Sequence, residues 1–257
     1  MKAGALMELQ SNLRALNLST MARDMEGLLR QAQETGIGYE EFLLSLTAAE
    51  LQARSEKRLE RRIREAKFPV LKPLETFDLT AVPELDIRLF RHLAEGDFVK
   101  EHRNVIFLGK SGAGKTHMAI ALGIEACRNN LRTRFVTCYG LVNELLEANQ
   151  ERKLQRLLQR YARYDVLILD ELGYIPFSKE GSEVLFQVLA ERHEKGSVMI
   201  TTNLGFADWT QVFGDPVMTA ALLDRLTHKA HIINCPWDSY RLKQSLKEKA
   251  KRKGKAA

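Results

Sequence analysis

Eight residues, Gly109 to Thr116, read GKSGAGKT. They fill the template G-x-x-x-x-G-K-S/T, in which successive backbone N–H groups and one lysine surround phosphate oxygens. Gly109, Lys110, Ser111, Gly112, Ala113, Gly114, Lys115 and Thr116, with His117 after them, are the expected nucleotide contacts. Lys115 would meet the β- and γ-phosphates, and the Thr116 hydroxyl would ligate Mg²⁺. A loop of this kind implies only that a nucleoside triphosphate binds. Hydrolysis needs acids, and Asp170-Glu171 follow the apolar run Val166-Leu167-Ile168-Leu169. Asp170 would hold Mg²⁺, directly or through water, and Glu171 would orient and deprotonate the attacking water. A further apolar run, Ser197 to Ile200, ends in Thr201-Thr202-Asn203. A neutral amide that donates and accepts could touch both γ-phosphate and water, so Asn203 is a candidate sensor; an Asn satisfying a strand-to-loop turn is the other reading.

These groups need a scaffold that brings strand ends together. Asn104 to Leu108 reads as a buried strand, and Ala119, Ile120, Leu122, Ala126 and Cys127 recur behind the loop at helical spacing. Strands expected near 104–108, 133–137, 165–170, 197–202 and 231–234 alternate with helical patterns. That alternation predicts an α/β fold, a doubly wound parallel sheet whose ligands lie at the C-terminal ends of the strands. Asp215-Pro216 opens a helical stretch carrying Asp224 and Arg225. By sequence alone Arg225 is one arginine among many, with a surface ion pair as its default role.

The loop followed by His117, DELGYIPF from Asp170, TTN from Thr201, DWTQVF from Asp208, ALLDRLTH from Ala221 and SYR from Ser239 together resemble the IstB-like ATPases. These are AAA+ helpers encoded beside the transposase of bacterial insertion sequences, related to the DnaC helicase loaders and DnaA initiators. The resemblance spans about residues 70–242 in order and spacing. It implies that Asn203 is the first sensor, Arg225 a finger acting on a neighbouring subunit's ATP, and Arg241 a second sensor. Cys235 to Asp238 depart from the glycine-containing turn expected before Arg241, which weakens that last assignment. FPVLKPLETFD, Phe68 to Asp78, matches the family's linker, where Phe77 either packs on adenine or anchors the linker to the core. The partners implied are duplex DNA, the transposase and further copies of the chain, with ATP sites at subunit interfaces.

Charge agrees in part. The chain is +6 overall, but from Arg241 onward eight Lys or Arg face Glu248 alone. Arg54 to Lys67 carries seven more against three Glu. Such runs suit salt-dependent, sequence-indifferent contact with a phosphate backbone, or are simply a frayed tail and a solvated helix. No apolar run is long enough to span a membrane and no secretory signal is recognisable, so a cytoplasmic location is expected. Cys127, Cys138 and Cys235 lack metal spacing and read as apolar fillers; the six histidines form no ligand pattern.

The expected organisation is a helical domain at 1–67 for a partner or DNA, a linker at 68–98, an AAA+ core at 99–240 and a basic tail at 241–257. Few residues follow the last strand, too few for a helical lid, so closure over ATP would rely on a neighbouring subunit. The resulting expectation is an ATPase that assembles with ATP and Mg²⁺ on DNA and assists a transposase. A helicase loader is the nearest alternative; a free-standing nucleotide switch without a DNA role is the more distant one.

Overall fold

In the computed structural model, which describes residues 3–78, 82 and 84–240, the apolar runs become Asn104–Gly109 (β1), Thr133–Thr137 (β2), Val166–Leu172 (β3), Ser197–Thr202 (β4) and Ala230–Cys235 (β5). All pairs are parallel, in the order β2-β3-β4-β1-β5. Helices α1 (Ala3–Ala15), α2 (Ser19–Thr35) and α3 (Tyr39–Ala66) precede the sheet, and α4 (Ile87–Glu95) and the short α5 (Asp97–Lys100) lead into β1. The crossovers are α6 (Lys115–Arg128), then α7 (Cys138–Gln150) with α8 (Leu154–Ala162), then α9 (Lys179–Arg192), then α10 (Trp209–Phe213) with α11 (Pro216–Thr227). The fold is therefore a doubly wound α/β sheet.

Strand alternation sends neighbouring side chains into two cores. Phe107, Ile168 and Met199 pack with Met118, Ile120 and Phe90 on one face. Ile106, Leu167 and Ile200 pack with Leu141, Leu185 and Trp209 on the other. Val166 to Leu169 are completely buried, as a strand covered on both faces requires. Each such side chain contributes roughly 1.5–3 kcal/mol by leaving water. Local signals place the helix starts: Asp86 accepts from the amides of Arg88 and Leu89, Ser178 from Gly181, and Asp215 from Met218 with Pro216 behind it.

The stretch read as a linker, 68–98, holds more structure than a linker. It contains α4, whose Phe90 and Leu93 enter the first core together with Val82 and Leu85. Its sequence mixes prolines with short apolar pieces, and the packing that makes them core comes from elements far along the chain.

The chain divides into two compact units, Met1–Arg61 and Arg62–Ala257. The first is helical, with α2 ended by Gly36 in the left-handed conformation. Its core is Leu13, Met21, Ala22, Met25 and Leu46. Buried Glu50 of α3 accepts from the amides of Thr20 (2.8 Å) and Met21 (3.0 Å), satisfying two donors that the start of α2 leaves open. Arg54 pairs with its other oxygen at 2.8 Å and reaches the Asn17 carbonyl at 2.6 Å. No helix of the described residues is long and apolar enough to cross a membrane.

Candidate nucleotide site

β1 ends in the glycine-rich loop and α6 starts at Lys115, so the expected strand, loop and helix are present. Gly114 occupies the N-cap of α6 at φ +88° and offers no capping side chain. The first amides of α6 are thereby left for an anion, favoured by the helix dipole. The Lys115 ammonium, largely buried, donates to the carbonyls of Gly109 (2.7 Å) and Lys110 (2.8 Å) and so lies folded along the loop.

The ends of β3 and β4 meet the loop. Thr116 Oγ1 donates to Asp170 Oδ1 at 2.8 Å, joining motifs 54 residues apart. Thr201 Oγ1 donates to the same oxygen at 2.6 Å. Leu169 pairs with Ile200, yet the next pair is Leu172 with Thr202, so Asp170 and Glu171 together oppose Thr201 alone. This is a β-bulge, which re-aims a side chain. Glu171 has φ +61° and is exposed between buried Asp170 and buried Leu172. A left-handed conformation at a residue with a Cβ costs roughly 1–2 kcal/mol and persists only where the surroundings enforce it. A hydroxyl beside a carboxylate is a hard oxygen donor set that fits Mg²⁺.

Around the loop lies a pocket lined by Ser111 to His117, Glu171, Tyr174, Thr201 to Asn203 and Tyr240, together with Lys72, Thr76, Phe77, Asp78 and Val82. The Phe77 ring stands edge-on to His117 at 5.0 Å and tilted to Phe90 at 6.0 Å. Phe77 thus faces the pocket and is anchored to the core at once. Burial, and then Lys72, hold the His117 imidazole below its ordinary range, favouring the neutral ring.

The segment after β5 closes the back of the loop. Trp237, buried, donates from Nε1 to the Ala113 carbonyl at 2.8 Å. The Tyr240 amide donates to the Gly112 carbonyl at 3.0 Å. Ser239 fills the space of a side chain at Gly112: a Cβ there would stand 2.1 Å from Ser239 Oγ, on a backbone at φ +80°. A Cβ at Gly109 would stand 2.3 Å from the Cys235 carbonyl oxygen. Gly112 thus answers to this strap, and Gly109 to the end of β5, as much as to phosphate.

Comparison with known proteins fits this geometry. The family model for IstB-like ATP binding protein matches residues 11–248. The chain belongs to the IstB-like ATP binding proteins. A relative named for the ATP-binding protein of insertion sequence IS21 from Pseudomonas aeruginosa is 41% identical over 240 residues, covering 93% of this chain and 91% of the relative. That of insertion sequence IS5376 from Geobacillus stearothermophilus is 38% identical over 238 residues, covering 93% and 95%. Among solved structures, the DnaC helicase loader matches with a TM-score of 0.51 at 22% identity, over 58% of this chain and 86% of the loader. That likeness concerns the fold.

In this IstB-like chain, Asn203 is exposed on the same pocket as Lys115 and Glu171. Arg225 stands apart from it on α11. Its guanidinium lies 4.9 Å from the centre of the Phe186 ring, with Nη1 buried and without a hydrogen-bond partner. Arg241 and the basic tail lie outside the described residues. The three cysteines are buried and free, and burial raises Cys127 to about 11 and Cys235 to about 12, which suits the filler reading. Trp237 escaped sequence reasoning, and Thr201 and Ser239 entered it only within the TTN and SYR runs with no role of their own, because residues of these types do not signal a partner far along the chain.

Proposed function

We propose that this chain hydrolyses ATP, assembles with ATP on duplex DNA, and hands that DNA to the transposase of its insertion sequence. The observation that supports it most is the bond between Thr116 and Asp170, which joins the phosphate loop to an acid pair at one sheet edge. Family membership supplies the transposition context.

The residues divide the work by chemistry. Amides from Gly112 to Thr116 and the α6 N-terminus hold phosphate oxygens, and Lys115 exchanges its carbonyl partners for the β- and γ-phosphates. Thr116 and Asp170 hold Mg²⁺, which neutralises charge on the transferred phosphoryl group when bound. Glu171 accepts the proton of the attacking water as it adds to the γ-phosphorus and the bond to the ADP oxygen breaks. Asn203 orients that water against the γ-phosphate. Phe77 and His117 offer the base an apolar wall.

Arg225 acts in trans. Among the described residues that line the pocket the cations are Lys72, Lys115 and His117 when protonated, with no arginine. This reading takes the finger from another subunit, which makes the active form an oligomer. Arg225→Ala should bind ATP as isolated subunits do and lose turnover by about 10³ or more. Mixed with Lys115→Ala subunits it should regain activity, because each supplies the part the other lacks. Folded proteins that show no rescue would refute action in trans. The helicase-loader reading rests on shared fold alone, and no feature of this site favours it.

A further inference from the structure

The strained acid at the bulge needs an anchor, and its neighbours identify one. Between the pairs Leu169–Ile200 and Leu172–Thr202, β3 carries one residue more than β4. The surplus breaks the ladder, so the Glu171 amide loses the backbone carbonyl a regular strand would give it. Thr201 Oγ1 takes that place, accepting from the Glu171 N–H at 3.0 Å while donating to Asp170 Oδ1 at 2.6 Å. One hydroxyl, with one proton and free lone pairs, meets both demands. Thr201 is itself fixed, about 1% exposed and paired through its backbone with Phe107 of β1.

We propose that Thr201 is a positioning residue for the proposed hydrolysis, holding the Asp170 carboxylate for Mg²⁺ and the Glu171 backbone in the conformation that turns its acid outward. This rests on the roles assigned above to Asp170 and Glu171. Thr116 from α6 and Thr201 from β4 donate to the same oxygen of Asp170. Without the Thr201 bond the carboxylate is held from one side only, and the left-handed Glu171 keeps an unpartnered amide. Thr202, the neighbouring threonine, does something else: its hydroxyl accepts from the Leu204 amide at 3.1 Å and shapes the turn beyond β4.

Thr201→Val keeps the β-branched shape of a buried strand residue and removes only the hydroxyl; Thr201→Ser restores it. Outer-shell partners of metal ligands typically matter by about 10–100-fold. In Thr201→Val the Mg²⁺ concentration for half-maximal binding of a fluorescent ATP analogue should rise by about that factor, and kcat should fall similarly. Affinity for the analogue in EDTA should match the parent, and Thr201→Ser should recover both losses. A folded Thr201→Val with parental Mg²⁺ dependence overturns the proposal. So does an equal loss of metal-free binding that serine fails to rescue, which is the mark of a purely structural residue. Should the parent protein bind ATP without hydrolysing it, the hydrolysis reading fails, while the Mg²⁺ titration still decides for or against Thr201.

Discussion

At the C-terminal edge of the sheet, polar side chains from α6, β3 and β4 bond to one another in front of fully buried aliphatics. In the N-terminal unit, Leu13, Met21, Ala22, Met25 and Leu46 form a small core beside one clamped carboxylate, while Leu16, Leu44 and Leu51 are each exposed by two thirds or more. The first region over-determines its geometry and can therefore hold a strained Glu171. The second has little surface to bury, so single contacts decide whether its helices stay together. Chemistry is concentrated where packing is dense enough to fix it.

The comparison can be broken at several points. Glu171→Gln changes one atom of the acid and keeps the bulge. It should preserve ATP affinity, lower turnover by about 10²–10⁴ and lengthen the life of ATP-bound assemblies. Loss of nucleotide binding in equilibrium titration would mean that Glu171 is not the base.

Gly112→Ala tests the back of the loop. Its left-handed backbone alone costs roughly 1–2 kcal/mol with a Cβ, about tenfold in affinity, and the clash with Ser239 adds to it. The double variant with Ser239→Gly removes the clash and should recover part of the loss in ATP affinity. Equal affinities for single and double variants would show that the strap does not constrain the loop.

Glu50 probes the other region. Burial pushes its carboxyl up, but the bonds from Arg54 and from the amides of Met21 and Thr20 outweigh that and leave it below the usual glutamate range. Its contribution is thus complete above about pH 4.3, the ordinary glutamate value, and disappears as pH falls through the lower folded value. Glu50→Gln should cost about 1–3 kcal/mol in the full chain at neutral pH. Hydrogen exchange at Thr20 and Met21 should accelerate in this variant, and its difference from the parent should vanish in acid. A difference that persists below the folded value would contradict the clamp.

Legibility followed the same division. The phosphate loop, the acid pair and the five strands follow local rules, a spaced template and short apolar runs alternating with helical patterns, so they could be read without any structure. Thr201 reaches Asp170 across 31 residues and Trp237 reaches Ala113 across 124. Single residues of ordinary type at such separations acquire meaning only when the sheet brings them together. Arg192 is the extreme case. Completely enclosed, it donates to the carbonyls of Tyr161, Tyr164 and Ser197, at the end of the sheet opposite the site, and burial lowers it to about 10. Nothing in the sequence distinguishes it from the solvated arginines around it.

Sedimentation of the purified chain, with and without duplex DNA and with either ADP or a non-hydrolysable ATP analogue, tests the central claim most directly. ATP-dependent assembly on DNA predicts large species only when duplex and ATP analogue are both present, weakening as salt rises. An unchanged small species under all conditions would contradict it, removing the trans-acting Arg225 and the DNA platform together.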